Sequence, residues 1–161
     1  MVVIVFGLPG SGKSYFAERL AKLIKADYIN SDRVRKEMFK KRTYSKAEKQ
    51  SVYDEMLATM KDAVDQDRNV VLDATFHTKE TRTPFVKEMK SKGGIYFIEV
   101  TANEELIRER LKKARPYSEA DFKIYQIISS DNEPLKEPHL VLQSTNNNIG
   151  EMLQKAYDYL K

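Results

Sequence analysis

The chain has 161 residues, no cysteine and a formal net charge of +4. Its length suits one domain with its own core, and the absence of cysteine excludes disulfides and thiolate metal sites and favours a reducing cytoplasm. No apolar run approaches the roughly 20 residues that a membrane span needs, and the apolar start Met1–Phe6 is too short for a signal peptide.

Short apolar runs alternate with helical spacing of apolar residues along the whole chain. In order, the first half predicts a strand at Val2–Phe6, a helix at Lys13–Lys25, a strand at Asp27–Asn30, a helix capped by Ser31 or Asp32, a helix at Ala47–Gln66 and a strand at Val70–Leu72. The second half predicts a helix at Thr78–Lys90, a strand at Ile95–Val100, helices at Glu104–Ala114 and from Ser118, a strand at Leu140–Leu142 and a helix at Ile149–Leu160. This alternation predicts a single α/β domain with a mainly parallel five-stranded sheet and helices on both faces.

A complete phosphate-binding motif, G-x-x-x-x-G-K-[ST], lies between the first strand and the first helix. It consists of Gly7, Leu8, Pro9, Gly10, Ser11, Gly12, Lys13 and Ser14. Glycines let successive N–H groups point at phosphate oxygens, and the start of the helix adds partial positive charge. The motif predicts binding of ATP with Mg²⁺, in which Lys13 neutralises phosphate oxygens and Ser14 ligates the metal.

A phosphate loop alone does not distinguish a kinase from a GTPase or a motor ATPase. The guanine-reading sequence [NT]-K-x-D is absent. A kinase needs a base near the acceptor hydroxyl, and Asp32 follows the second strand at the edge where such sheets bind ligands. Arg35 comes one helical turn later and is a candidate for binding the acceptor. On these residues alone, Asp32 fits a helix cap as well as a general base.

Further charged residues follow the third strand and the fourth. Asp73 ends the third strand, where a carboxylate can reach a metal shell or orient the acceptor. Five cations between Arg108 and Arg115 suit the charge of a phosphoryl transition state, although taken alone this cluster fits a solvated helix face better. His77 is interpreted as a polar loop histidine rather than a catalytic one.

Together these residues resemble the phage-type polynucleotide 5′-kinase group of the P-loop kinases. The likeness rests on the phosphate loop of the form G-x-P-G-S-G-K-S, on Asp32–Arg35 as a D-x-x-R element and on Asp73–Thr75 as the D-x-[TN] end of the third strand. The resemblance implies a P-loop kinase domain over residues 1–161, with a helical lid at about residues 108–120.

The resemblance also implies roles for individual residues. The residues implied to be catalytic are Asp32, Lys13, Arg110 and Arg115, with Arg110 also contacting the nucleotide. The residues implied to bind the acceptor are Arg35, Asp73, Thr75 and Arg82, and those implied to hold Mg²⁺ are Ser14 and Asp73. The expected reaction is transfer of the γ-phosphoryl group of ATP to a hydroxyl, with the 5′-hydroxyl of a polynucleotide as acceptor. Two alternatives stay open: a kinase for a small hydroxyl compound (a nucleoside, sugar or antibiotic), and a regulatory nucleotide-binding module.

Overall fold

The computed structural model describes residues 1–113 and 121–161, which form five strands and seven helices. The strands are β1 Val2–Phe6, β2 Ala26–Asn30, β3 Asn69–Ala74, β4 Ile95–Ala102 and β5 Leu140–Ser144. The helices are α1 Lys13–Leu23, α2 Ser31–Met38, α3 Lys46–Asp65, α4 Lys79–Met89, α5 Glu104–Leu111, α6 Phe122–Asp131 and α7 Ile149–Leu160.

The strands form one parallel sheet in the order β2-β3-β1-β4-β5. Parallel neighbours need long crossover connections, and the helices between the strands supply them. β1 lies at the centre of the sheet and pairs with β3 on one side and β4 on the other. The predicted α/β fold class, with a mainly parallel five-stranded sheet, is therefore confirmed.

Each face of β1 belongs to a different hydrophobic core because successive side chains of a strand point to opposite faces. Val2, Ile4 and Phe6 pack with residues of α3 and α4. Val3 and Val5 pack with residues of α1 and α7. Burial of a side chain of this size contributes roughly 1.5–3 kcal/mol, so this apolar run holds the sheet between two helical layers.

Element ends differ from the sequence-based expectation at points that matter for the site. α2 is capped by Asn30, whose side chain accepts a hydrogen bond from the Arg33 amide, and not by Ser31 or Asp32. Asp73 lies inside β3 rather than at its end, since the strand continues to Ala74. The predicted helix start at Ser118 lies outside the described residues; α6 begins at Phe122, after a cap by Asp121.

None of the helices within residues 1–113 and 121–161 combines the length and the apolar character that crossing a bilayer requires.

Candidate active site

The phosphate loop connects β1 to α1 and needs glycine at two of its positions. At Gly7, a Cβ atom would lie 2.3 Å from the carbonyl oxygen of Val100 on the neighbouring strand, a distance that no side chain can adopt. Gly12 precedes α1 with φ of 91°, in the left-handed region that side chains rarely adopt. The sheet and the helix therefore fix the loop in a shape that only this glycine pattern permits.

One cavity of about 860 Å³ opens at the carboxyl edge of the sheet, where ligands bind in open α/β folds. Its volume is in the range of small-molecule sites. Lys13 and Ser14 of the phosphate loop line it, and so do Asp32 and Arg35 of α2. The structure thus brings together the predicted phosphate site and the predicted base in one continuous space.

Asp73 is fully buried, lines the cavity and accepts hydrogen bonds from two side chains. The hydroxyl of Tyr28 donates to Oδ2 at 2.5 Å, and the side-chain amide of Asn30 donates to the same oxygen at 2.8 Å. Burial first, and the charge of Asp73 second, raise the pKa of the Tyr28 hydroxyl far above its usual range, so that Tyr28 stays a neutral donor. The other oxygen, Oδ1, is buried and has no hydrogen-bond partner among the described residues.

This unsatisfied oxygen allows a test of the predicted magnesium site. The amide of Asn30 that binds Asp73 also lies 3.4 Å from the hydroxyl of Ser14, so the two candidate ligands share one neighbour. Hydroxyl and carboxylate oxygens suit Mg²⁺, which keeps several waters and takes few protein ligands. Ser14 and Asp73 therefore fit the ion.

Asp32 occupies the first turn of α2, and its side chain does not cap the helix because Asn30 does. Burial raises the pKa of the Asp32 carboxyl above its ordinary value, while the charges of Lys13 and Arg35 oppose that rise. Oδ1 of Asp32 lies 3.7 Å from Nη1 of Arg35. A partly buried carboxylate of raised basicity beside the phosphate loop has the chemistry of a general base.

Arg35 is held in place from α3. Its Nε lies 3.1 Å from Oε1 of the buried Glu48, and its guanidinium stacks 4.7 Å from the centre of the Tyr44 ring. The other oxygen of Glu48 accepts hydrogen bonds from the amide and hydroxyl of Thr43. Arg35 is therefore a positioned cation on the cavity wall, and its binding of the acceptor stays a prediction.

Thr75 and His77 follow β3 and also line the cavity. The Thr75 hydroxyl lies 3.2 Å from Nδ1 of His77 and 3.5 Å from the hydroxyl of Tyr53. His77 lies in the loop between β3 and α4, as the sequence predicts, but it is only 6 % exposed there. Burial, with the charge of Lys49 next, lowers the pKa of His77 to about 4, which keeps its ring neutral at pH 7.

The structure does not bring Arg82 to the cavity, contrary to the expected role in acceptor binding. Its buried side chain donates to the backbone carbonyls of Thr78, at 3.2 Å, and Glu133, at 2.5 Å. These bonds tie the start of α4 to the segment that follows α6. Arg82 thus stabilises the packing of these two segments and does not line the cavity.

Arg110 lines the cavity and connects the phosphate loop with the end of β5 and the residue that follows it. Nη1 donates to the carbonyl of Gly10 at 3.1 Å and to the hydroxyl of Ser144 at 2.9 Å, and Nη2 donates to the carbonyl of Thr145 at 3.1 Å. Arg110 therefore braces the phosphate loop against the end of β5. Arg115, the other predicted lid arginine, lies outside the described residues.

Three residues in or next to the site were missed by sequence reasoning: Asn30 and Lys49, which line the cavity, and Tyr28, which donates to Asp73. Asn30 carried a usable signal, because asparagine is among the preferred helix caps and ends a predicted strand. Lys49 stands one turn before Val52 on α3 and looks, in sequence, like one lysine of a solvated helix face. Tyr28 carried no signal, since its role depends on Asp73, 45 residues away.

Comparisons with known proteins agree with this architecture. The chain is similar in structure to a sugar kinase from Janibacter sp. HTCC2649 (15 % identity, 99 % of this chain and 93 % of that chain, TM-score 0.75). It is also similar to a gluconokinase from Sinorhizobium meliloti 1021 (17 %, 99 % and 90 %, TM-score 0.70). A third similar structure is the Mycobacterium tuberculosis APS kinase CysC in complex with AMPPNP and APS (20 %, 99 % and 96 %, TM-score 0.73). At these identities the likeness shows the fold.

The sequence itself gives the family. No curated protein matches it, but residues 2–131 match the family described as AAA domain. The matched range runs from β1 to the end of α6 and contains the phosphate loop, Asp32, Arg35 and Asp73. The chain therefore belongs to the AAA domain family, with the fold that these kinase structures share.

Proposed function

We propose that the protein is an ATP-dependent kinase that transfers the γ-phosphoryl group to a hydroxyl of a small molecule. One observation carries this proposal: a single cavity is lined both by Lys13 and Ser14 and by Asp32 and Arg35. A nucleotide-binding module needs only the first pair. A phosphotransferase also needs a base and an acceptor-binding cation beside the phosphate loop, and Asp32 and Arg35 have the chemistry for these two roles.

In this reaction Asp32 accepts the proton of the acceptor hydroxyl while the new O–P bond forms. The bond between the γ-phosphorus and the oxygen of the departing ADP breaks at the same time, and the proton stays on the Asp32 carboxyl. Lys13 stabilises the charge that develops on the phosphate oxygens. Ser14 and Asp73 would hold Mg²⁺, which would supply further neutralisation of these oxygens when bound. Arg35 orients the acceptor.

A small acceptor is better supported than the 5′-hydroxyl of a polynucleotide. The similar structures carry the names sugar kinase, gluconokinase and APS kinase, all of which denote small-molecule kinases. The exposed basic residues Lys40 and Lys41, which would suit a nucleic-acid backbone, do not line the cavity. Ile124, Ile127 and Ile128 of α6 form part of the cavity wall instead, and apolar walls suit a compact ligand.

An acceptor screen tests this proposal. Labelled ATP and Mg²⁺ are incubated with nucleosides, sugars, polyols and hydroxy acids, and with a 5′-hydroxyl oligonucleotide as a separate arm. We expect a labelled small product and ATP consumption that rises when its acceptor is present. Labelling of the oligonucleotide alone would restore the polynucleotide acceptor. Slow hydrolysis that no compound accelerates would favour the regulatory module.

A further inference from the structure

The acceptor side of the cavity, the part around Asp32 and Arg35, contains a lysine that the proposed reaction leaves without a role. Lys49 lies on α3, one residue after the Glu48 that holds Arg35, and its half-buried side chain lines the cavity. Among residues 1–113 and 121–161, no carboxylate lies within ion-pair distance of its ammonium group. A half-buried ammonium without a bound anion is costly unless a ligand completes the site.

Lys49 shares this part of the cavity with two further cations and a neutral imidazole. Both Arg35 and Lys49 line the cavity, and burial first, with the charge of Arg35 second, lowers the pKa of Lys49. Lys46 lines the same wall. His77, close enough for Lys49 to lower its pKa, is neutral and pairs with the Thr75 hydroxyl. This part of the cavity thus offers an ammonium group beside hydroxyl and imidazole hydrogen-bonding groups.

The carboxylates in this part of the cavity either face another cation or lie beyond ion-pair distance of Lys49. Asp32 faces Arg35 at 3.7 Å and is the proposed base, so it cannot also serve Lys49. Asp131 of α6 lines the cavity, and with Glu80 it acts on Lys49 only through its charge. Arg35 therefore has carboxylate partners in Asp32 and Glu48, whereas Asp131 and Glu80 act on Lys49 only from beyond ion-pair distance.

We infer that Lys49 binds an anionic group of the acceptor, so that the preferred substrate is a small hydroxyl compound carrying a carboxylate or a phosphate ester. The inference rests on the proposed kinase function and names the class of substrate for the same site. Arg35 would hold the acceptor near its reacting hydroxyl, beside Asp32, and Lys49 would hold its charged end. A charge-assisted hydrogen bond of this kind changes affinity by roughly tenfold or more.

Matched acceptors test the inference. Transfer from labelled ATP is measured for glucose, gluconate and glucose 6-phosphate, and for glycerol, glycerate and glycerol 3-phosphate. We expect at least one acidic compound to exceed its neutral partner by about tenfold or more in kcat/KM. The two acidic members of each set distinguish a carboxylate from a phosphate ester.

Variants of Lys49 assign that preference to the residue. Lys49→Met keeps the apolar stem, and it should raise KM for the acidic acceptor and bring the ratio to its neutral partner close to one. Lys49→Arg should retain most of the preference. Lys61→Met is the matched control, because Lys61 lies on the same helix but pairs with Glu88 outside the cavity.

A binding measurement separates failure of this inference from failure of the kinase proposal. The wild type and Lys49→Met are saturated with ADP and Mg²⁺ to fill the phosphate loop, and gluconate and glycerol 3-phosphate are titrated by calorimetry. Binding that Lys49→Met abolishes, without transfer to any compound, would retain the anion site and reject the kinase. Equal use of neutral and acidic acceptors, an equal loss for both in Lys49→Met, or no anion binding and no acidic acceptor would overturn the inference.

Discussion

The side chain of Asn30 caps α2 and at the same time donates a hydrogen bond to Asp73. Its Oδ1 accepts from the Arg33 amide at 3.0 Å, while its Nδ2 lies 2.8 Å from Oδ2 of Asp73 on the neighbouring strand. One buried amide thus fixes both the helix that carries the proposed base and the carboxylate proposed for the metal shell. The bond also relieves Asp32 of any capping role.

The first prediction concerns this bridge. Asn30→Asp keeps an oxygen for the cap but replaces the amide donor with a second carboxylate beside buried Asp73. We expect the free energy of unfolding at neutral pH to fall by about 2 kcal/mol or more. The deficit should shrink as the pH falls, because a proton on either carboxyl restores a donor. Urea unfolding of Asn30→Asp and Asn30→Ala at several pH values measures this loss of stability. A loss for Asn30→Asp that does not change with pH, like the loss expected for Asn30→Ala, would contradict the account.

The second prediction concerns Lys13. Its side chain lines the cavity rather than the core, so Lys13→Ala should leave the melting temperature nearly unchanged. Loss of its charge from the phosphates should lower turnover by roughly a hundredfold or more. Lys22→Ala is the control on the same helix, since Lys22 is exposed in the last turn of α1. Near-normal turnover in a folded Lys13→Ala would reject the phosphate-loop assignment.

The third prediction separates catalysis from folding at Asp32. Since Asn30 is the cap, Asp32→Asn should change the melting temperature little. Asparagine cannot accept the hydroxyl proton, so transfer should slow by roughly a hundredfold or more, while affinity for ATP is retained. Single-turnover transfer and nucleotide binding are measured on the same preparation. Full transfer by this variant would mean that another residue is the base.

The fourth prediction follows from the buried, neutral ring of His77. Its pKa of about 4 lies below the ordinary value of 6.5, so the unfolded chain takes up a proton at higher pH than the folded one. Stability from this residue is therefore present above pH 6.5 and is lost as the pH falls towards 4. Between pH 7 and pH 5 the loss should reach about 2 kcal/mol at most. In His77→Asn, whose amide does not titrate, the free energy of unfolding measured with denaturant should lack this pH-dependent loss. Identical pH profiles of unfolding for the wild type and His77→Asn would contradict the prediction.

The features that sequence could predict are those that depend on residues close together in the chain. Eight consecutive residues define the phosphate loop, and the spacing of Asp32 and Arg35 within one helical turn predicts that they face one space. The alternation of elements predicts the sheet in the same local way. Because parallel strands end at one edge, the chain order also brings Asp73 near this site.

The features that sequence could not predict depend on partners far along the chain. Arg82 lies away from the acceptor site because its guanidinium donates a hydrogen bond to the carbonyl of Glu133, 51 residues later. By sequence His77 is a polar residue of a short loop, yet it is buried in the fold, and the hydroxyl of Tyr53 accepts from the amide of the adjacent Phe76. A side chain's three-dimensional neighbours decide its role in these cases, and no local pattern carries that information.

The most direct test of the central claim follows the fate of the phosphoryl group by phosphorus NMR. The protein, ATP and Mg²⁺ are mixed with the best small acceptor from the screen, and ADP, phosphate ester and inorganic phosphate are measured together. The account predicts that ADP and phosphate ester form in equal amounts, faster than inorganic phosphate, and that Asp32→Asn suppresses the ester. Formation of inorganic phosphate alone, at a rate that no acceptor changes, would contradict it.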